Sequence, residues 1–414
     1  MNNQLQITDR KSKIAIVGAG PAGASLAIRL AQKNFRVTLI ERERFPRQKL
    51  CGEFISPECF RHFRELDVFD EMLSAGGERI AETVFYAPNG KSVGIPSKWF
   101  NGDSQGALSL SRAEMDLRLL EKAKLIGVEV LEDYSAFGLL TEKDAICGVK
   151  LRAKDGSAKE IYADLFVDAT GRARVLGKLA EKEISRREAR TQSFKIQNAK
   201  SKSINRLIGF KAHLKNAHIE KSACEIYFFR GGYGGLSGVE NNLANFCFLV
   251  KAELVKEFSG DADKILAEII FQNKRAFDTL RNAAPVHEWL AVSVDSFGRK
   301  DLNPAANLFA AGDAGAFIDP FTGSGMLMAF ESAEILAEIF AENHSSLAEI
   351  AFIYQSRHNE KFRKRLRVCS LMRRAAFSPA LAKAAISILS VSRAARELLA
   401  RSTRQAFPAN ENIR

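Results

Sequence analysis

The chain is 414 residues long, 46% hydrophobic and 27% charged, with a formal net charge of +12. That composition excludes a disordered, fibrous or low-complexity protein and leaves room for about two to three domain-sized units. The cysteines show no Cys-x-x-Cys spacing and the histidines no ligand constellation, so no metal site is expected and a reducing, cytoplasmic setting fits best.

Met1–Arg10 is polar and lacks the apolar core of a signal peptide. Lys13–Val17 is a β-branched apolar run leading straight into Gly18-Ala-Gly20-Pro21-Ala22-Gly23. Small residues (Ala22, Ala24, Ala27) follow at helical spacing, and a second apolar strand, Arg36–Ile40, ends in Glu41-Arg42. This is a complete βαβ unit. Gly18 permits the tight turn, Gly20 lets the backbone approach a pyrophosphate, and Gly23 lets helix and strand pack closely. The free amides at the helix start receive phosphates. Glu41 is placed to accept hydrogen bonds from a ribose diol. A glycine-rich turn without a ligand is the bland alternative. Strand, helix, strand and terminal acid all in register favour a dinucleotide.

Glu58–Met72 reads as one helix, with Phe60, Phe63, Leu66 and Phe69 at helical spacing. Thr83–Ile95 alternates like a hairpin turning at Pro88-Asn89-Gly90. Ser111–Leu125 reads as a helix opened by a capping box, Ser111 with Glu114. Val128–Val130, Ile146–Arg152 and Ala163–Ala169 read as strands, with a hairpin turn at Asp155-Gly156. From about Lys195 to Val294 come strand-like runs (Leu207–Phe210, Cys224–Phe229, Ala244–Val250) and one helix, Asp261–Phe277. They predict a separate antiparallel layer. The glycines around Tyr233 either line a cavity or make a hairpin.

Asn307–Gly312 returns to a buried strand, so Asp313 lies at the carboxyl edge of a sheet, where ligands bind. A helix cap is the bland reading of Asp313. Pro320, Gly323, Ser324 and Gly325 then lead into a helix over Gly325–Ala341. The glycines let backbone amides approach a flat ring, and the helix start offers about half a positive charge to an anionic ring edge. The remaining chain is helical and basic. In Arg357–Arg374 and Arg393–Arg404, cations interleave with apolar residues such as Phe362, Leu366 and Leu371. That pattern is a solvated helix face or, more sharply, a contact with an anionic membrane surface. No nucleic-acid motif accompanies the charge, so no nucleic-acid partner is expected. No run of about 18 uncharged apolar residues is present.

Gly312-Asp313 resembles the second FAD fingerprint of the glutathione-reductase-type flavoproteins, whose Asp holds the ribityl chain. Pro46-Arg-Gln-Lys49-Leu-Cys51-Gly52-Glu53 is similar to the Pro-x-x-Lys-x-Cys-Gly motif of the geranylgeranyl-reductase-related branch of the para-hydroxybenzoate-hydroxylase-like group. Ser111-Arg112 with Asp116 and Leu120 resembles that group's helix whose Arg contacts FAD, and Phe317–Gly325 resembles its flavin loop. The resemblance runs from about residue 13 to 345. It implies an α/β fold: a glutathione-reductase-type FAD-binding Rossmann domain (12–82, 108–185 and 295–345), an inserted antiparallel β-sheet substrate domain (83–107 and 186–294), and a helical basic C-terminal region (346–414). It also implies FAD as cofactor, adds Cys51, Gly52 and Arg112 to the cofactor-binding residues above, and makes NAD(P)H a candidate electron donor.

The group usually has Asp-Gly where this chain reads Asp168-Ala-Thr170-Gly171. Thr170 replaces the acid associated with pyridine-nucleotide use, which leaves FAD binding intact and weakens the case for direct reduction by NAD(P)H. The halogenases' Trp-x-Trp-x-Ile-Pro motif is missing, since only Trp99 and Trp289 occur, and halogenation is rejected. Cys51 is either a small buried hydrophobe or a thiol beside flavin and substrate, and in that role the candidate catalytic residue. The expected function is an FAD-dependent oxidoreductase acting on a hydrophobic small molecule (prenyl, polyketide or quinone-like). The reason for an apolar substrate is the Phe-rich middle layer: Phe210, Phe228, Phe229, Phe246 and Phe248. The reading leans toward geranylgeranyl-reductase-type alkene reduction. An aromatic hydroxylase (monooxygenase) using NAD(P)H and O2 is the alternative, and a non-catalytic lipid carrier or escort protein of the same fold is the second. No pattern assigns an oligomeric state.

Overall fold

The computed structural model describes residues 12–100, 106–142, 145–191, 206–294 and 297–403. The expected polar start at Met1–Arg10, the beginning of the middle layer before residue 206 and the end of the basic tail at Arg404 lie outside them.

The nucleotide layer forms first along the chain. Strand β1 (Lys13–Val17), helix α1 (Pro21–Gln32) and strand β2 (Arg36–Ile40) follow one another as the spacing predicts. Gly18 has φ +103° and donates its amide to the Ile40 carbonyl at 2.7 Å, so the turn closes directly on β2. A Cβ on Gly23 would stand 1.8 Å from the Gly18 carbonyl oxygen, which is why only glycine fits there. Strands β3 (Glu82–Tyr86) and β4 (Ser92–Pro96) make the expected hairpin, and helix α2 (Arg112–Leu125) begins at the expected cap. The Ser111 hydroxyl accepts the Glu114 amide at 3.2 Å. The reciprocal half of the capping box is missing: Glu114 pairs with Arg118, and the Ser111 amide goes to Glu240 at 3.1 Å.

Strands β5 (Glu129–Leu131) and β6 (Leu165–Asp168) pair with β2 and β1 in parallel. Four strands, β7 (Leu207–Lys215), β8 (Ala223–Phe229), β9 (Gly232–Val239) and β10 (Leu243–Lys251), build the middle of the molecule. Strand β11 (Leu308–Ala310) returns to the first layer, whose order is β11-β6-β1-β2-β5. The chain therefore leaves the nucleotide layer and comes back to its edge. Helix α3 (Gly325–Ala341) packs against α1, and α4 (Leu347–Ala376), α5 (Pro379–Val391) and α6 (Arg393–Ser402) complete the chain.

The larger sheet runs β7-β10-β9-β8-β3-β4, with the short strands Ala284–Pro285 and Leu290–Val294 on β7. It is not wholly antiparallel as expected, because β3 enters beside β8 in parallel. Its two faces differ. Phe210, Phe229, Phe246 and Phe248 point to the back, where short helices cover them. Only Phe228 of the five expected phenylalanines points to the other face, with Tyr233, Phe317 and Phe377. Most of the aromatic content that argued for an apolar ligand is therefore core.

Two expected helices are broken. Glu58–Met72 divides into Cys59–Glu65 and Phe69–Ser74, because Asp67 takes φ +53° and reverses the chain between them. Asp261–Phe277 divides into Ala262–Glu268, a 3-10 turn and Lys274–Leu280. There the buried Asn273 caps the last helix and donates to the Tyr86 and Phe228 carbonyls at 3.0 Å each, fixing the break to the sheet.

The Gly23 contact sets the spacing of α1 and β1. Gly23→Ala should destabilise the protein by about 1–3 kcal/mol or more, read as a lower denaturation midpoint. An unchanged midpoint would contradict this packing.

Candidate active site

The site is assembled around the mouth of the Gly18–Gly23 turn. Gly20 is the cap residue of α1, with Pro21 at the first helical position and no side chain capping the end. The Ala22 and Gly23 amides therefore point at whatever lies beyond Gly20. Glu41 is buried and holds the turn: it accepts the Ala19 amide at 2.8 Å and its own strand-end amides of Arg42 and Glu43 at 3.1 and 3.2 Å. Arg42 turns away to solvent and pairs with Glu43 at 3.7 Å.

Two other guanidiniums take the place facing Gly20. A Cβ built on Gly20 would lie 3.5 Å from Nη2 of Arg112 and 3.9 Å from Nη2 of Arg47. Both are held by Asp116, one turn along α2. Arg112 makes a two-point bond to it at 2.8 and 2.6 Å, and Arg47 approaches at 3.1 Å. Asp116 is fully buried; burial works against the Arg112 cation, but the charge and hydrogen bonds of Asp116, with Cys51, together raise the Arg112 pKa. Arg47 also lies over the Phe45 ring at 4.6 Å. Lys49 stands at the same mouth; crowding by protein, then Arg47, Arg112 and Arg42, bring its ammonium down to about 8. Water still reaches Lys49, so this is a cation in a cleft rather than in a core.

Gly312 adopts φ +60°, and a Cβ there would meet the Ala22 Cβ at 2.8 Å, so the two glycine turns touch. Asp313 follows at the cleft wall. Burial lifts its carboxyl to about 6, against the pull of Arg172, Arg112 and Lys49. Thr170 spends its hydroxyl locally: it donates to Asp168 at 2.6 Å and accepts the Val175 amide at 2.8 Å.

Cys51 and Gly52 sit on the loop that carries Arg47 and Lys49. Cys51 is half-buried, its sulfur interacts with Arg112 and with the Glu53 amide at 3.4 Å, and its carbonyl accepts from Asn245 at 3.1 Å. Gly52 is exposed, with nothing packed where a Cβ would be. Glu53 closes the loop. It is fully buried at φ +55° and meets three groups: Lys211, His213 at 2.7 Å and the Arg112 amide at 2.8 Å. Burial alone would lift the Glu53 carboxyl, but these partners hold it below its ordinary value.

The loop before α3 faces the larger sheet. Asp319 accepts Tyr233 Oη–H at 2.6 Å and the Phe321 amide at 3.0 Å. Gly323 has φ +61°, and a Cβ there would be 2.8 Å from the Phe54 ring. Pro320 is exposed, Ser324 buried, and Gly325 opens α3. Phe85, Phe321 and Phe377 line the seam between this loop and the sheet, each only partly buried. The structure thus gathers Gly18, Gly20, Pro21, Ala22, Gly23, Glu41, Cys51, Arg112, Gly312 and Asp313 around one cleft and leaves Arg42 outside it. Sequence reading missed Arg47 and Lys49 as cations at the mouth of the glycine turn, although both lie in the motif that carried the resemblance.

Among the described residues, His62, Glu65 and Glu334 have metal-like spacing. Arg29 already holds Glu65 at 2.6 Å, Arg61 holds Glu334 at 2.6 Å, and burial takes His62 down to about 3. Two guanidiniums leave this group no unmet negative charge for a metal ion.

The donor set fits FAD. An uncapped helix start and two clamped guanidiniums suit a pyrophosphate, a strand-end acid suits a ribose, and a second acid beside a ring-accommodating glycine loop suits the rest. These features define an FAD-binding oxidoreductase.

Comparison with known proteins agrees. The chain belongs to the family described as FAD binding domain, which matches residues 11–355. It is 26% identical over 357 residues to digeranylgeranylglycerophospholipid reductase 2 of Methanopyrus kandleri, covering 85% of this chain and 83% of that protein. It is likewise 26% identical to the digeranylgeranylglycerophospholipid reductase of Methanosarcina acetivorans, over 84% of this chain and 80% of that one. A geranylgeranyl bacteriochlorophyll reductase-like protein of Thermoplasma acidophilum has the same fold, with TM-score 0.72, 17% identity, and coverage of 95% and 96%. A flavin-dependent brominase shares that fold too, with TM-score 0.72, 18% identity, and coverage of 92% and 93%.

The raised Asp313 carboxyl has a consequence for FAD-free protein. The native state keeps this proton where the unfolded chain has released it. Stability should therefore fall as pH rises from the ordinary 3.8 to about 6. Water in the cleft screens the carboxylate, so the loss is at most about 3 kcal/mol. Asp313→Asn should remove that part of the pH dependence. Parallel stability curves for the two proteins would contradict it.

Proposed function

We propose that this FAD-dependent oxidoreductase reduces an alkene in a long apolar molecule of the isoprenoid-lipid class. The observation that carries the reading is the aromatic seam between the loop before α3 and the β8–β9 face. Tyr233 stands edge-on to Phe321 at 5.2 Å, Phe228 lies 5.7 Å from Phe321, and Phe85 lies 6.4 Å from Phe228. The partly exposed rings of Phe85 and Phe321 offer an apolar chain a surface, with the buried Tyr233–Asp319 pair behind it. The two archaeal reductases, matched over most of their length, support the same reading.

FAD, when bound, supplies the redox chemistry. The protein's share is position and exclusion of water. The Gly20 mouth with Arg47 and Arg112 would hold the pyrophosphate, and Asp313 would hold the ribityl chain. The rings of Phe85, Phe228 and Phe321 would exclude water from the reacting end. Cys51 lies on the loop between the guanidinium clamp and the sheet, where its sulfur would stand at the boundary of cofactor and substrate.

Dithionite-reduced protein should convert a geranylgeranyl-chain substrate under nitrogen. Cys51→Ala should slow this by roughly tenfold, about 1.4 kcal/mol of barrier, while FAD stays bound. Strict dependence on oxygen, with one oxygen atom found in the product, would replace the reductase by the aromatic-hydroxylase type.

A further inference from the structure

The C-terminal helices carry an unusual face. From Lys361 to Arg396 the chain contains no Asp or Glu. Arg363, Lys364, Arg367, Arg374 and Lys383 are all exposed. Among the described residues none of the five has an acidic partner, whereas Lys361 and Arg365 share Glu331 and Arg373 approaches Asp319. Arg299, on the short strand Gly298–Arg299, adds to this field. Partial desolvation comes first, and then Arg363 and Arg367 push its pKa down, so the exposed Arg299 guanidinium stands in the field of two others.

Beside this positive face lie apolar side chains that nothing covers. Leu371 is 66% exposed, Leu381 54%, Ile388 62% and Val391 86%. Leu381 and Ile388 are two helical turns apart on α5 and share a face. The opposite stripe of α5 (Ala382, Ile386 and Leu389) packs into the seam that holds Tyr233 and Phe228. One short helix is thus apolar on both sides. It meets α4 at a bend of 114°, where Phe377 stands edge-on to Tyr233 at 5.8 Å.

We propose that the outer face of α4 and α5 docks on an anionic lipid bilayer, with α5 lying in the interface as the partition between the bilayer and the aromatic seam. Charge complementarity selects this occupant. A second copy of the chain would bring the same unpaired cations against themselves, and an uncharged partner would leave them unmatched. Exposed Leu and Ile flanked by Arg and Lys suit the boundary of headgroups and acyl chains. No single helix among the described residues is long and apolar enough to cross a membrane; α4 and α5 reach that length and composition only together, as a pair bent by 114°. The docking does not rest on the reductase reading, but it places a lipid substrate one helix away from the seam.

The test is co-sedimentation of the FAD-bound protein with phosphatidylcholine vesicles, with and without phosphatidylglycerol. Binding should require phosphatidylglycerol and weaken as salt rises. Arg363→Glu, Lys364→Glu and Arg367→Glu should each cost at least roughly fivefold in partitioning. These exposed residues lie away from the cofactor cleft, so retained FAD reports an intact fold. A Trp placed by Ile388→Trp should be quenched by brominated phosphatidylglycerol. Equal binding to both vesicle types, no binding, charge variants that bind as well as the parent, or an unquenched Trp would overturn the proposal. A protein that reduces detergent-dispersed geranylgeraniol but ignores vesicles refutes the docking alone. One that binds as expected but reduces nothing refutes the reductase alone.

Discussion

Asp116 is the residue on which the site depends. Its buried carboxylate holds Arg112 in a two-point bond and draws Arg47 to 3.1 Å, from a different segment of chain. An unpaired charge at that depth costs several kcal/mol, so the acid and its two bases stand or fall together. The pair of guanidiniums then faces Gly20 with donors to spare, because five donors per guanidinium exceed what one carboxylate accepts. A helix start that would otherwise bind a phosphate weakly becomes a site with two fixed positive charges. Helix α2, the loop after β2 and the glycine turn are registered to one another by this one contact.

Glu53 does the corresponding job on the other side of the same loop. It joins the loop to β7 through Lys211 and His213 and to α2 through the Arg112 amide. The nucleotide layer and the larger sheet are thus coupled through buried, directional polar contacts rather than through hydrophobic area alone. Such contacts add little net stability, but they specify relative position. Position matters where a flat cofactor ring and an apolar chain must meet edge to edge. Asn245 on β10, bonded to the Cys51 carbonyl, extends the same coupling to the thiol.

What the sequence made legible was local. The β1–α1–β2 unit, the Gly312-Asp313 turn and the helix from Gly325 each declare themselves within about 30 residues, through periodicity and glycines whose neighbours leave no space for a Cβ. The convergence of Arg47 and Arg112 on one buried acid was not legible, because it depends on contacts between distant segments. Nor was the direction of the phenylalanines. Strands β8 and β10 are buried on both faces, so alternation is lost and no pattern separates Phe228 from Phe229. The broken helices failed for a different reason. Asp67 and Asn273 interrupt apolar spacing that continues on either side of them, and what decides the break is a left-handed residue in one case and a cap bonded to a distant sheet in the other.

The central claim is that a carboxylate-clamped pair of arginines binds the anionic half of FAD. The direct measurement is the affinity of FAD-free protein for FAD and for riboflavin, which lacks the phosphates and adenosine, in the parent and in Asp116→Asn. The account predicts that the parent prefers FAD strongly and that Asp116→Asn weakens FAD by about tenfold or more while leaving riboflavin nearly unchanged. Equal affinity for the two ligands in the parent, or an undiminished preference for FAD in Asp116→Asn, would contradict it.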